Sequence, residues 1–321
     1  MRIACSLGSL LSIEEVIKCS KIISNTSTDA IWVPETWGME NFSMLGIVSS
    51  TTINQKIGSS IINIYSRSPS IIAMGAATVD TLSKGRLVLG LGTSSLPIVE
   101  SFHGNKFEKP LQRMKEYVEI IRLTLSGQQV NYDGNIFKLN NFTLLIKPQR
   151  KEIPIYLAAI NKKMVDLAWE IGNGVIFYLR PLNEMKKTIS KMQSKRKIDV
   201  TCQLITCVSD NSEEAILRAK KTIAFYVSVG DIYRKFLSDN GFQKETSEIY
   251  DEFKKSGFKS NHDLVTDTML QSLAISGTSE ECKKQLSNFI SAGIDQPILQ
   301  FNPIGATMNS FELFKKTFLD E

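Results

Sequence analysis

Residues 56–95 read KIGSSIINIYSRSPSIIAMGAATVDTLSKGRLVLGLGTSS, and their pattern decides the fold. Two apolar runs, Ile57–Ile62 and Leu87–Leu91, flank a segment in which Ile71, Met74, Thr78 and Leu82 share one helical face. Strand, helix and strand in that order describe a crossover unit joining two parallel strands. Each strand gives way to a short loop, Asn63–Arg67 after the first and Gly92–Ser95 after the second. Small, polar and basic groups at the carboxyl ends of parallel strands are where α/β folds place their ligands.

The same alternation extends outward in both directions. Ile3–Leu7 and Ala30–Pro34 read as earlier strands, the second ending in Glu35-Thr36-Trp37-Gly38. Between them Ser12 and Glu15 form a capping box that opens a helix to about Ser24, with Ile13, Val16, Ile17 and Ile23 turned inward. A helix around 43–52 leads into the third strand. After the fourth, a polar loop over 97–110 holds His103, Gly104 and Lys106. The helix from Pro110 carries Leu111, Met114, Val118, Ile121 and Leu125 at spacings of three and four, and Gly127 closes it. Residues 129–146 alternate around Asp133–Gly134, a hairpin pattern that reads as an insertion.

Further strands are expected at Ile155–Ala159, Val175–Tyr178, Val200–Val208 and Pro297–Phe301. Helix starts stand at Asn211 and at Thr278 with Glu281, and a closing helix covers Phe311–Phe318. Residues 231–269 are polar and weakly periodic, as an inserted helical segment serving as a lid or binding loop would be. Eight strands separated mostly by helices predict an α/β protein, a single (β/α)8 TIM barrel over 1–321 with insertions at about 129–147 and 231–269. A doubly wound sheet is the alternative. Against it, the first strand is followed by the lone Gly8 rather than a GxGxxG fingerprint.

Composition narrows the function. A chain of 321 residues, 42% hydrophobic and 22% charged, can fill a large core. Its net charge of +5 suits an anionic small ligand, but no basic block forms a nucleic-acid footprint, so no nucleic-acid partner is expected. Five cysteines without a CxxC pair favour free thiols in a reducing cytoplasm over a disulfide frame or zinc site. Two histidines leave little room for a metal centre, and none is expected. The chain opens on strand-like MRIACSL and has no apolar run of membrane-spanning length, so the expectation is a cytoplasmic protein without a leader or membrane segment.

Four segments carry a resemblance: AIWVPETWG, IINIYSRSPSIIAMGAATVDTLSKGRLVLGLG, FHGNKFEKPLQRMKEYVEIIR and PIYLAAINKK. They resemble the luciferase-like superfamily of flavin and deazaflavin oxidoreductases. Within it, they are most similar to the coenzyme F420-dependent branch that includes archaeal methylenetetrahydromethanopterin reductase. The resemblance runs from Met1 to about Phe301 and is thinnest over 231–269. It implies a barrel whose cofactor ring lies at the carboxyl ends of the strands, beside a bulge in the third. A non-prolyl cis peptide in that bulge maps onto Ser60–Ile61. By the same matching, Ser60, Ile61, Asn63, Gly92, Thr93, Ser94 and Ser95 approach the ring and ribityl chain. Ala158, Ala159, Ile160 and Asn161 meet its phosphate end, where a helix start favours an anion. Asn161 also reads as a plain N-cap, and the two roles are compatible.

The resemblance places Glu35 at the barrel mouth. There it either shuttles a proton during hydride transfer or serves as a structural carboxylate bonded to backbone or arginine. Relatives often follow this acid with histidine; here Thr36 stands instead. On the substrate side are Ser6, Trp37 and Arg67. Trp37 is a pocket wall or simple packing, and Arg67 a ligand anchor or an ion-pair partner. His103 is assigned a structural or lid role. The methanopterin reductases usually carry acids where this chain has Ser6 and Ser95.

The activity implied is hydride transfer between coenzyme F420 and a small organic substrate, with a methylene-tetrahydromethanopterin-type one-carbon carrier as the leading candidate. An FMN-dependent monooxygenase using dioxygen is the alternative, and a flavin-binding barrel without turnover a third reading. The family also implies a homodimer or higher homo-oligomer.

Overall fold

The computed structural model describes residues 2–8, 10–147, 149–150 and 152–320. Met1, Ser9, Pro148, Lys151 and Glu321, among them the two ends of the expected domain, lie outside the described residues. Backbone packing separates the chain into two units, Asp29–Ile176 and Met1–Thr28 with Phe177–Glu321. The strands that carry the α/β repeat are β1 Ala4–Ser6, β2 Ala30–Val33, β3 Lys56–Ser59, β4 Leu87–Gly92, β5 Ile155–Ala158, β6 Gly174–Tyr178, β7 Asp199–Val208 and β8 Gln296–Phe301. All pair in parallel, as the eight strands of a (β/α)8 barrel.

In the Asp29–Ile176 unit the strand order is β2, β3, β4, β5, β6. Ile31 pairs with Ile57, Ile57 with Leu87, Leu89 with Ile155 and Leu157 with Val175. These residues are buried almost without exception, which is why the strands read as continuous apolar runs rather than alternating ones. Strand β3 is interrupted. It stops at Ser59, passes a cis Ser60–Ile61 bond, and resumes at Ile62–Asn63 opposite Leu91 and Gly92.

The helix Pro69–Leu82 begins where Ser68 accepts from the Ile71 amide and proline occupies the first turn. It turns Ile72, Ala73, Ala76, Ala77 and Val79 inward, while Ile71, Met74 and Leu82 are 49%, 43% and 55% exposed. The stripe that the sequence groups together is therefore the outward face. Alanines make the buried face because they let helix and strands approach closely. Gly75 instead admits a neighbouring helix, Asn41–Thr51, since a Cβ there would stand 2.7 Å from the Phe42 ring.

The hairpin expected around Asp133–Gly134 is present as Val130–Asp133 and Lys138–Phe142, an antiparallel pair separate from the parallel strands. Glu116, on the helix Pro110–Leu125, pins its turn by accepting the Asn135, Ile136 and Phe137 amides at 3.0 Å each. Gly134 is required there: a Cβ would stand 2.5 Å from the Glu116 Oε2. The polar loop before this helix contains a five-residue π-helical turn, Ile98–Phe102, that its composition conceals.

In the other unit β7 pairs with β8, and β8 with β1. The capping box of Ser12 and Glu15 opens the helix Ile13–Ile23, but Ile13 in its first turn is 47% exposed rather than inward. The 231–269 region is helical: Asp231–Leu237, Gln243–Ser256 and Asp267–Leu273, with shorter turns between. Each short helix contributes a few apolar anchors, such as Leu237, Ile249 and Met269, to one cluster with Ile223 and Val227 of the helix Ser212–Val229. A further strand, Ala274–Gly277, pairs with the end of β7. At four residues it is too short to show a period. All five cysteines are buried free thiols. No helix among the described residues is long and apolar enough to cross a membrane.

Burial works to raise the Glu116 carboxyl, but hydrogen bonds from Gln112 and the three turn amides outweigh it and lower its pKa. A depressed carboxylate contributes stability above the ordinary carboxylate range and loses it as pH falls through the folded value. Hydrogen exchange at Asn135–Phe137 is expected to accelerate in acid. Glu116→Ala should release the turn at neutral pH, costing about 1–3 kcal/mol for the amides left unpaired. Limited proteolysis across 130–142 checks both.

Candidate active site

Strands β2, β3, β4 and β5 end close together because three positions carry little or no side chain. Ser59 donates to the Gly90 carbonyl at 2.9 Å and accepts the Gly90 amide at 2.8 Å. A Cβ on Gly90 would stand 1.9 Å from the Ser59 carbonyl oxygen, so only glycine permits this approach. Beyond the cis bond, Ile61 lays its side chain beside Gly92, where a Cβ would meet Ile61 Cδ1 at 2.5 Å and the Ala158 Cβ at 3.3 Å. The Ser60 amide closes back on the Val33 carbonyl at 2.9 Å. A bulge capped by an isoleucine, between a glycine and an alanine, thus sits at the carboxyl ends of the strands.

Two polar atoms in this bulge are buried without a hydrogen-bond partner, Ser60 Oγ and Asn63 Nδ2. Asn63 is fixed from its other side, where its Oδ1 accepts the Tyr65 amide at 2.9 Å. Buried donors without acceptors are rare and call for a partner. Among the described residues no group of three histidine, cysteine or acidic side chains is arranged to hold a metal. The two orphaned donors beside the apolar Ile61 side chain fit a flat, polar-edged organic ring.

Glu35, just past β2, gathers this loop. Its Oε1 accepts from Arg67 Nη2 at 2.6 Å and its Oε2 from Arg67 Nη1 at 2.9 Å. The same oxygens take the Asn41 amide at 3.1 Å and the Asn63 amide at 3.4 Å. Such a forked, charge-assisted pair fixes geometry as well as energy. Arg67 also bonds Glu40, and its carbonyl accepts from the Tyr117 hydroxyl. The Glu35 hydrogen bonds raise the Arg67 pKa above its already high ordinary value, against a smaller opposing effect of burial. For Glu40, burial pushes the carboxyl up, but bonds from Ser43 and Phe42 and the nearby Arg67 charge leave it lowered. Of the two roles the sequence leaves open for each, Glu35 and Arg67 here display the ion pair.

The remaining residues fall into separate places. Ser94 adopts a positive φ of 58°, and the Ser95 carbonyl accepts the Val99 amide as the chain enters its helical turn. Thr93 reaches only its neighbour's carbonyl, at 3.4 Å. At the end of β5, the Ala159 amide bonds the Ile176 carbonyl, Ile160 follows, and Asn161 caps the helix Lys162–Ile171 by accepting the Met164 amide. Trp37 is 58% exposed and meets Phe102 edge-on at the surface. His103 is exposed at the close of the π-helical turn. Ser6 belongs to the other unit, buried at the end of β1, and its hydroxyl has no partner. Sequence reasoning did not single out Ser59, Glu40, Asn41 or Tyr117. Only Glu40 left a trace, as an acid placed to cap the helix Asn41–Thr51.

A model of the luciferase-like monooxygenases matches residues 2–296. The chain belongs to this family. It is 31% identical over 297 residues to a 5,10-methylenetetrahydromethanopterin reductase of Archaeoglobus fulgidus, covering 89% of this chain and 88% of that protein. The coenzyme F420-dependent tetrahydromethanopterin reductase of Methanopyrus kandleri has the same fold, with a TM-score of 0.86, 21% identity, and 98% and 97% of the two chains covered. An F420-dependent secondary alcohol dehydrogenase, solved with an F420–acetone adduct, also shares the fold. Its TM-score is 0.79 at 17% identity, over 99% of this chain and 98% of that one.

Two substitutions test the geometry. Gly90→Ala should part β3 from β4 and lower stability by about 1–3 kcal/mol or more, as overpacked sites do, measured by denaturant unfolding. Arg67→Lys keeps the charge but not the fork, and faster hydrogen exchange at Asn41 and Asn63 is the expected outcome.

Proposed function

We propose that the chain is a coenzyme F420-dependent oxidoreductase that transfers a hydride to or from a small organic substrate. The observation that carries this reading is the pair of unpartnered buried donors, Ser60 Oγ and Asn63 Nδ2, at the carboxyl end of the third strand, in a chain similar over nearly its whole length to a methylenetetrahydromethanopterin reductase. When bound, coenzyme F420 supplies the carbon that gives up or accepts the hydride. Ser60, Ile61 and Asn63, with Gly92, Thr93, Ser94 and Ser95, would hold its ring and ribityl chain. Ile61 offers an apolar surface there, and Ser60 Oγ and Asn63 Nδ2 offer donors. Ala158, Ala159, Ile160 and Asn161 would take the phosphate end, where amides at the start of the helix Lys162–Ile171 favour an anion.

Glu35 has a defined position in this reading. Both its oxygens are engaged by donors, and Arg67, which also touches Glu40, holds the carboxylate in place at the barrel mouth. Ser6, Trp37 and Arg67 would face the substrate side. The substrate we favour is a methylene-tetrahydropterin one-carbon carrier, by likeness to the Archaeoglobus relative. By the resemblance, such reductases usually carry acids at the positions of Ser6 and Ser95, a departure that counts against this substrate. The second reading, an FMN-dependent monooxygenase, is favoured by membership of the luciferase-like monooxygenases. We also infer a homo-oligomer, since Ile71, Met74 and Leu82 expose an apolar stripe that a second copy would cover. The five buried thiols suit a cytoplasmic setting.

Spectral titration separates the cofactors. Tighter binding of F420 than FMN, with substrate-dependent bleaching under anaerobic conditions, is expected. Preference for FMN with dioxygen consumption would replace the leading reading with the second. Turnover of either kind excludes the binding-only barrel. Asn63→Leu should weaken F420 binding about tenfold, as the loss of one buried hydrogen bond and its site implies. Glu35→Gln should reduce turnover at saturating substrate far more than F420 affinity.

A further inference from the structure

Strands β6, β7, β8 and β1 carry a row of uncharged hydrogen-bonding side chains, all within the unit Met1–Thr28 with Phe177–Glu321. Gln300 stands at its centre, next to the last residue of β8 and the register partner of Ser6 on β1. Its Oε1 accepts from Gln203 Nε2 at 3.1 Å, and its own Nε2 donates to Asn302 Oδ1 at 3.3 Å. Asn302 is anchored in turn, donating to the Gln300 and Thr206 carbonyls at 2.8 and 3.4 Å. These bonds fix which way the Gln300 amide faces. Ser6, Gln203 and Asn302 are buried, whereas Gln300 keeps part of its surface open.

The row is short of partners. Ser6 Oγ, Gln203 Oε1 and the Tyr178 hydroxyl are buried without a hydrogen bond. Gln300 Oε1 has a second lone pair to offer. The polar neighbours of Tyr178 are Gln300 and the hydroxyls of Tyr226 and Tyr233. Edge-on packing against those two rings, at 5.1 and 5.7 Å, holds the Tyr178 ring at the end of β6. The chain then turns at Leu179 with a φ of 48°, uncommon for a bulky residue. Leu179 is packed in the apolar cluster of this unit, which enforces the turn. No carboxylate, lysine or arginine among the described residues bonds to any member of the row. Unsatisfied donors and acceptors gathered in one layer without charge call for a neutral partner.

We propose that Gln300 is a specificity-determining residue of the substrate site, presenting its amide to an uncharged substrate group that both donates and accepts hydrogen bonds. An alcohol hydroxyl and a lactam edge share that chemistry. The proposal rests on the oxidoreductase reading for calling this ligand a substrate, and it adjoins Ser6, assigned there to the substrate side. A site built to hydrogen-bond such a group rejects analogues that lack it, because its own polar atoms are then left unpaired. A charged group is rejected too, since the row supplies no counter-ion.

The test uses binding alone, without coenzyme F420. Cyclohexanol and 6-methyltetrahydropterin, titrated into the native chain, supply the hydroxyl and the lactam. At least one is expected to bind saturably and to slow hydrogen exchange over 4–6 and 299–302, and the tighter of the two names the group. Q300M keeps the side chain's length and should lower that affinity about tenfold. Q300E still accepts from Gln203 but carries a charge. It should raise the affinity for cyclohexylammonium, relative to the tighter neutral probe, about tenfold or more. A chain that binds a neutral probe but not coenzyme F420 loses the oxidoreductase reading and keeps the site. Absence of saturable binding by both neutral probes overturns the proposal, the result that ordered water filling the row would give. So does affinity unchanged in Q300M, or protection confined to 61–65 and 92–95. Should Q300M fail to fold, the affinity ratio in Q300E decides, and an unchanged ratio overturns the site.

Discussion

The Glu35 carboxylate is the point on which the site depends. One side chain draws together the end of β2, the start of the helix Asn41–Thr51, the resumed third strand at Asn63 and the loop at Arg67. The end of β2 and the loop at Arg67 lie outside regular secondary structure, and Asn41 and Asn63 are terminal residues of a helix and a strand. Backbone amides past the end of a strand must find acceptors somewhere, and a carboxylate with its lone pairs can serve several at once. Arg67 closes the arrangement by supplying the charge that makes burying the acid tolerable. Removing either partner would leave the other charge half-buried and several amides unpaired.

Around this polar centre the chain is arranged by what its side chains lack. Gly90 and Gly92 lie on one strand, two residues apart and therefore on the same face, with Ala158 alongside Gly92. Ser59 fits where Gly90 has no side chain, and Ile61 where Gly92 has none. The shape of this mouth is therefore built by subtraction. Substitutions there act on the backbone first and on any ligand second.

How much of this is legible in the sequence depends on the kind of signal. The strands are visible because those buried on both faces form uninterrupted apolar runs, and the helix starts at Ser12 and Thr278 because their capping boxes are local. The cis bond at Ser60–Ile61 came only from family resemblance, since nothing in the local residue pattern demands it. The orientation of Ile71, Met74 and Leu82 was not legible. Periodicity finds a stripe but cannot say whether large residues or alanines face inward, and here close packing chose the alanines. The strand Ala274–Gly277 and the turn Ile98–Phe102 escaped because pairing partners far along the chain, or a local change of helical pitch, define them. Gln300 escaped for a third reason. A lone amide in an apolar strand reads as a tolerated exception, and only its bonds to Gln203 and Asn302 reveal the polar row it belongs to.

The Glu116 staple changes what the hairpin is mechanically. An antiparallel pair that leaves a helix and returns to a strand would ordinarily be a cantilever, free at its tip and hinged at its base. Here the tip is tied to the same helix from which the chain departs, so the segment is supported at both ends. Such a beam bows in its middle rather than swinging. Its stiffness is governed by one carboxylate, and the distance between base and tip fixes the length of strand that seats the turn. A single proton on Glu116 would convert the beam back into a flap.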